Sequence, residues 1–180
     1  LNIVHPYNRK EHIAISCQGK LEAHQINIIQ DTSIGNGCVF EALKQFVIYN
    51  IKFINNSNNE ETYGEFLKGE SQGQKDNYIV DSTFKLNHID YKGNNLYGLI
   101  NYKNSENESN GSSLYVMNNV FKEDNATSYG SLIHLYADLG RGPISYLIKE
   151  NNFIIKDTRG QIVSLVNTSD NDWILKGVIS

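Results

Sequence analysis

Asn50, Asp81, Asn118 and Glu150 are the residues whose types and spacing most invite a chemical reading, because each holds the fourth position of a seven-residue segment that recurs along the chain. The segments are Val47-Ile-Tyr-Asn-Ile-Lys-Phe53, Tyr78-Ile-Val-Asp-Ser-Thr-Phe84, Tyr115-Val-Met-Asn-Asn-Val-Phe121 and Leu147-Ile-Lys-Glu-Asn-Asn-Phe153. Two carboxylates on one face would serve a glycoside hydrolase as acid and base. The spacing argues otherwise. If each segment lies on the next at about 4.8 Å, Asp81 and Glu150 stand about 10 Å apart with Asn118 between them. Amides stacked at that spacing hydrogen-bond to one another, so a structural polar ladder is the expectation.

Other residues invite other chemistry. Tyr63, Tyr97 and Tyr129 each precede a Gly, and as a stacked strip they would either grip a sugar ring or line the edge of a core with their hydroxyls in water. Asn167-Thr-Ser-Asp-Asn-Asp172 carries oxygen ligands that suit Ca²⁺ but lacks the Gly and Glu frame of a calcium loop, so a solvated turn is expected. His5, His12, His24, His88 and His134 are scattered without metal-ligand spacing and read as surface or structural residues; the strand neighbours of His134, Ile133 and Leu135, fall on its other face. No metal or cofactor is expected. Ser, His and Asp occur without a nucleophile elbow. Cys17 and Cys38 are 21 residues apart, near the shortest coil length in the chain, which leaves two readings open: a disulfide between adjacent coils or two buried thiols. Sequons begin at Asn55, Asn107, Asn110, Asn125 and Asn167, all in stretches that read as turns or loops, where N-linked glycans would be accepted on an extracellular or cell-surface protein.

The elements that position these residues follow from the repeat. The closing Phe positions differ by 84 − 53 = 31, 121 − 84 = 37 and 153 − 121 = 32, a solenoid period. A second signature follows each segment: Tyr63-Gly-Glu-Phe-Leu67, Tyr97-Gly-Leu-Ile100, Tyr129-Gly-Ser-Leu-Ile133 and Arg159-Gly-Gln-Ile-Val163. The apolar runs are short, rich in Val, Ile, Tyr and Phe, and bounded by Asn, Gly and Ser, which fits strands and not helices. Strands that cannot pair within a repeat pair between repeats. The predicted fold is all-β, a single-stranded parallel β-helix (β-solenoid) of about five to six coils. Phe53, Phe84, Phe121 and Phe153 form its core ladder.

Residues 1–180 read as one domain, with irregular early coils over 1–45 and regular coils over 46–180. In the early part Leu21–Ile28 aligns with Phe46–Phe53, placing Gln25 in the fourth slot, and Glu41–Phe46 reads as a turn. The polar stretches 68–77, 103–113 and 137–143 are surface loops. Trp173–Ile179 fits the opening signature with Ile179 in the Phe slot, so the sequence would stop inside a coil. The start at Leu1 points the same way, to a piece of a longer polypeptide whose open end receives further coils or a neighbouring copy. Net charge is −4 with both signs interspersed, so no nucleic-acid stripe is expected. No run of 18 or more apolar residues is present, so no membrane insertion is expected of this segment.

Phe53-Ile-Asn-Asn56 and Phe84-Lys-Leu-Asn87 are FxxN motifs, and Tyr97-Gly-Leu-Ile100 and Tyr129-Gly-Ser-Leu132 look like degraded GGA(I/L/V) motifs. Together they resemble the repeats of polymorphic outer-membrane-type proteins and related pectin-lyase-fold surface proteins. The resemblance covers about residues 46–166 and implies a right-handed parallel β-helix at a cell surface, with adhesive or structural work and no catalytic residues. Phe121 and Phe153 lack the Asn three positions on, and the first Gly of the second motif is missing throughout. The same fold hosts polysaccharide lyases and hydrolases, which show clustered Asp pairs, Gly-His or Arg-Lys pairs that this chain lacks. A phage or bacterial tail-fibre segment is a further alternative. The expectation is a non-enzymatic extracellular module, glycosylated at its turns and stacking end to end, with a carbohydrate or other cell-surface ligand as a possible partner.

Overall fold

The computed structural model describes residues 2–5, 13–30, 35–55, 62–71, 73–86, 98–104, 111–123, 131–137, 142–155, 161–167 and 175–180. Every regular element among them is a strand, and no helix is long and apolar enough to cross a membrane. Sheet 1 contains β1 (Asn2–His5), β4 (Asn27–Gln30), β7 (Lys52–Asn55), β10 (Thr83–Leu86), β13 (Val120–Glu123) and β16 (Asn152–Ile154). Sheet 2 contains β2 (Ile13–Cys17), β5 (Gly35–Ala42), β8 (Thr62–Ser71), β11 (Gly98–Asn104), β14 (Ser131–Ala137) and β17 (Gln161–Asn167). Sheet 3 contains β3 (Lys20–His24), β6 (Gln45–Tyr49), β9 (Asp76–Val80), β12 (Ser112–Met117), β15 (Ile144–Lys149) and β18 (Leu175–Ile179). All pairings are parallel, and each strand pairs with those three places before and after it. That is the pairing pattern of a β-solenoid: the chain visits the three sheets in turn and adds one strand to each per circuit.

The register in sheet 1 aligns Phe53 with Phe84, Phe84 with Phe121 and Phe121 with Phe153, and Ile28 precedes them. The rings of Phe84 and Phe121 stack at 4.9 Å, those of Phe121 and Phe153 at 5.0 Å. Phe53 and Phe84 tilt apart to 6.4 Å because Phe66 of sheet 2 packs against both, at 5.2 and 5.0 Å. Phe53, Phe84 and Phe121 are buried, each side chain contributing about 1.5–3 kcal/mol by that burial. In sheet 3 alternate residues point inward, so Phe46, Ile48, Ile79, Leu114, Val116 and Ile148 complete the core. The first circuits follow the same course, with Leu21 beside Phe46 and Ile28 beside Phe53.

Sheet 2 departs from alternation. Val39-Phe40, Phe66-Leu67, Leu99-Ile100 and Leu132-Ile133 are consecutive and all buried. Ladder pairing skips the first member of each, so the strands bend there and turn two successive side chains inward. Ser131, an extra residue between Gly130 and the apolar pair, shifts the alignment: Gly98 pairs with Ser131, not with Gly130 as the Tyr-Gly signature suggested. His134 shares its ladder position with Asn101 and the exposed Lys68, yet it is buried, as Ile133 and Leu135 are.

The fourth slot is the corner between sheets 3 and 1, and it corrects the predicted polar ladder. Gln25, Asn50, Asp81, Asn118 and Glu150 adopt left-handed conformations, φ 54°, 52°, 52°, 56° and 56°. All five are exposed. A left-handed residue reverses the inward-outward alternation, so its own side chain leaves the stack and the next one enters. The side chains that stack are therefore Ser82, Asn119 and Asn151. Asn119 Oδ1 accepts the Ser82 backbone N–H at 2.9 Å, Asn151 Oδ1 accepts the Asn119 N–H at 3.0 Å, and Ser82 Oγ accepts the Ile51 N–H at 3.1 Å.

Two further expectations change. Cys38 pairs with Ile13 and Cys17 with Ala42, which offsets the cysteines by four residues, about 13 Å along the strands, and no disulfide joins them. Ile179 aligns with Ile148 and Val178 with Leu147, so the last strand repeats the opening of the signature and Ile179 does not occupy the Phe slot. The Glu41–Phe46 turn is confined to Leu43-Lys44, with strand on either side.

Candidate functional site

The outer face of sheet 3 gathers the most distinctive exposed surface among the described residues. Alternation that sends Ile48, Ile79, Val116 and Ile148 inward sends their neighbours outward, and those neighbours are apolar too except Lys149. One column runs Val47, Tyr78, Tyr115, Leu147 and Val178, aligned strand on strand. A second column alongside it holds Tyr49, Val80 and Met117. Tyr49 is 40% exposed and Val178 56%.

Tyr78 and Tyr115 stack at 4.8 Å with their planes 11° apart. Each ring covers one face of the other, and Val47 and Leu147 flank the pair in the same column. A sugar ring stacks on an open aromatic face, so this pair presents edges and hydroxyls outward rather than a sugar platform. Burial against the stack is the main influence raising the Tyr78 hydroxyl above its ordinary range, with the Asp76 carboxylate and Tyr115 adding to it. His24 lies against Tyr49 with ring centres 6.1 Å apart.

The stripe has margins that differ in charge. Before it lie Lys20, Lys44, Lys75 and Lys176, all exposed, with Lys20 paired to Glu22 and the exposed carboxylate of Asp76 interrupting the basic series. After it come the corner residues, including Asp81 and Glu150; Glu150 meets Lys149 at 3.0 Å. Asp81 and Glu150 stand two strands apart on this exposed edge, with Asn118 between them.

Inside the solenoid, at the corner between sheets 2 and 3, Tyr102 is the hub of a buried polar network. Its hydroxyl donates to Ser112 Oγ at 2.7 Å and accepts from Asn77 Nδ2 at 3.0 Å, and Asn77 Oδ1 accepts the Phe46 N–H at 2.9 Å. Burial pushes the Tyr102 hydroxyl up to about 12. Gly69 makes room: a Cβ there would stand 2.7 Å from Phe46 Cε1 and 3.2 Å from Tyr102 Cδ2. This network is structural, sealed from solvent.

Of the sequon asparagines, Asn55 ends β7 and Asn167 ends β17, so these two are terminal strand residues and not loop residues; Asn107, Asn110 and Asn125 lie outside the described residues. Tyr97 and Tyr129 also lie outside them, while the Tyr63 backbone pairs with Asn36 in sheet 2. Asp170, Asn171 and Asp172 of the acidic stretch, together with His12 and His88, are likewise outside them. Among the described residues no three of His, Cys, Asp and Glu gather into a group able to hold a metal ion. A stacked tyrosine pair that the sequence reading did not single out, Tyr78 and Tyr115, lies in the opening signature. Their signal was the first slot of the opening signature, which holds Val, Tyr, Tyr and Leu and shares a face with the third. Comparison with family models, curated proteins and solved structures finds no match to the chain.

Proposed function

We propose that this chain is a non-enzymatic structural or adhesive β-solenoid module, displayed outside the cell, carrying N-linked glycans and stacking end to end with further coils or with neighbouring copies. Its hand is right, because parallel crossover connections are right-handed in about 98% of cases. That hand agrees with the pectin-lyase-like resemblance. The observation that carries the reading is the unbroken register of three parallel sheets, in which the recurrent side chains are spent on stacking and the recurrent carboxylates sit exposed at backbone corners.

Two assays together test the proposal. Incubation with pectic and uronic polymers is expected to release neither unsaturated nor reducing sugar, and intact mass is expected to fall after N-glycosidase treatment of protein from its native source. Polymer cleavage abolished by Asp81→Asn would overturn the non-enzymatic reading, and an unchanged mass would overturn the glycoprotein reading.

A further inference from the structure

We propose that the outer face of sheet 3 is a lateral docking surface for a second copy of this chain, the two solenoids lying side by side about a two-fold axis parallel to the stack. The first argument is charge. Counted along the strands from the Val47–Tyr78–Tyr115–Leu147 column, Lys44 and Lys75 lie three residues before it and Asn50, Asp81 and Glu150 three residues after; Asp76 beside Lys75, and Lys149 paired to Glu150, reduce the excess on each margin without reversing it. A two-fold axis along the column exchanges those margins, so the basic edge of one copy lies over the acidic edge of the other. Lys75 then opposes Asp81 of the second copy. Packed sheets cross at about 30°, which displaces the margins by about one strand, and Lys44 or Lys75 still reaches Asp81 across that distance. Rotation about an axis along the strands would instead set the Lys20 end of the basic margin against its Lys176 end, which like charge disfavours.

The second argument is the stripe itself. An isologous contact needs a surface complementary to itself, and a single column of Val, Tyr, Tyr, Leu and Val packs against its own image. The five strands from β6 to β18 span about 24 Å and six residues about 20 Å, giving about 480 Å² per copy. A stable interface takes about 800 Å² per partner. The contact is therefore weak and concentration-dependent, and it gains strength where copies are aligned along a common axis.

Sedimentation of the wild-type protein at low salt, from micromolar to millimolar concentration, is expected to show a monomer–dimer equilibrium that Tyr115→Lys abolishes. The double variant Lys44→Glu/Lys75→Glu is expected to weaken dimerisation about tenfold or more. Adding Asp81→Lys to it is expected to restore dimerisation, since the reversed margins complement each other again. Tyr115 lies at the middle of the column, so Tyr115→Cys is expected to cross-link to its own counterpart, a product that end-to-end stacking cannot give. Retained strand signal in circular dichroism confirms that each variant is folded. A monomer at every concentration, dimerisation indifferent to Tyr115→Lys, or charge reversal without restoration would each overturn the lateral contact while leaving end-on stacking untouched.

Discussion

Asn119 and Asn151 stack at the corner between sheets 3 and 1, with Asn119 Nδ2 donating to Asn151 Oδ1 at 3.0 Å. The same Nδ2 donates to the Ile79 carbonyl at 2.9 Å, while Asn119 Oδ1 receives the Ser82 N–H at 2.9 Å, so one side chain ties three successive circuits together. Backbone groups freed by the corner find their partners there, because the left-handed residue ahead of each interrupts the ladder.

Replacing Asn119 by Leu strands the Ser82 N–H and the Ile79 carbonyl in a buried site. The expected loss is about 2–6 kcal/mol, at about 1–3 kcal/mol per stranded group. Urea unfolding measures it. An exposed neighbour such as Asn118→Ser, whose side chain has left the stack, should cost far less.

Glu150 holds φ 56° without the local hydrogen-bonding aptitude of Asn or the freedom of Gly. Glu150→Gly is expected to stabilise the fold by about 0.5–1 kcal/mol, and Glu150→Asn by somewhat less. Thermal melts of both variants check the sign. The exposed pair that Glu150 makes with Lys149 is too weak to reverse it.

Tyr102 sets an alkaline limit. Its hydroxyl titrates at about 12 in the fold, because burial disfavours the phenolate. Its ordinary value is about 10, so the unfolded chain loses the proton first. The stabilisation is full below pH 10 and is lost as pH rises toward 12, by an amount on the order of 2–3 kcal/mol. Urea midpoints across that range are expected to fall, and to fall less steeply in Tyr102→Phe.

His134 sets an acid limit by the same reasoning with the sign reversed. Burial holds its imidazole below the usual value of 6.5. Below pH 6.5 the unfolded chain binds the proton more readily, so stability declines as pH falls from 6.5 through the lowered value. His134→Gln is expected to flatten that decline when unfolding midpoints are followed from pH 7 to pH 4.

The phenylalanine ladder was legible in the sequence because the residues from the fourth slot to the Phe form a constant spacer, so 53, 84, 121 and 153 come into register whatever the loop lengths. The corner slot was legible too, but not its direction. Asn118 and Glu150 stand in the ladder slot, and only their left-handed φ sends them outward and puts Asn119 and Asn151 in. In sheet 2 the Tyr129 signature carries Ser131 between its Gly and the apolar pair where the Tyr97 signature has no such residue, so matching Leu99-Ile100 to Leu132-Ile133 sets Gly98 opposite Ser131. The last strand was misread because its apolar residues fit the signature in two alignments, and only pairing with β15 chooses between them.

The account rests on side-by-side placement of equivalent residues from successive circuits, and engineered cysteines test it directly. Lys52 and Thr83 are exposed partners on β7 and β10, and Val120 lies one strand farther. Adjacent strands stand about 4.8 Å apart, within reach of a disulfide, whereas two steps make about 9.6 Å. Oxidation is expected to cross-link Lys52→Cys/Thr83→Cys within one chain and to leave Lys52→Cys/Val120→Cys open. Failure of the first pair to close, or closure of the second in its place, would contradict the stacked register.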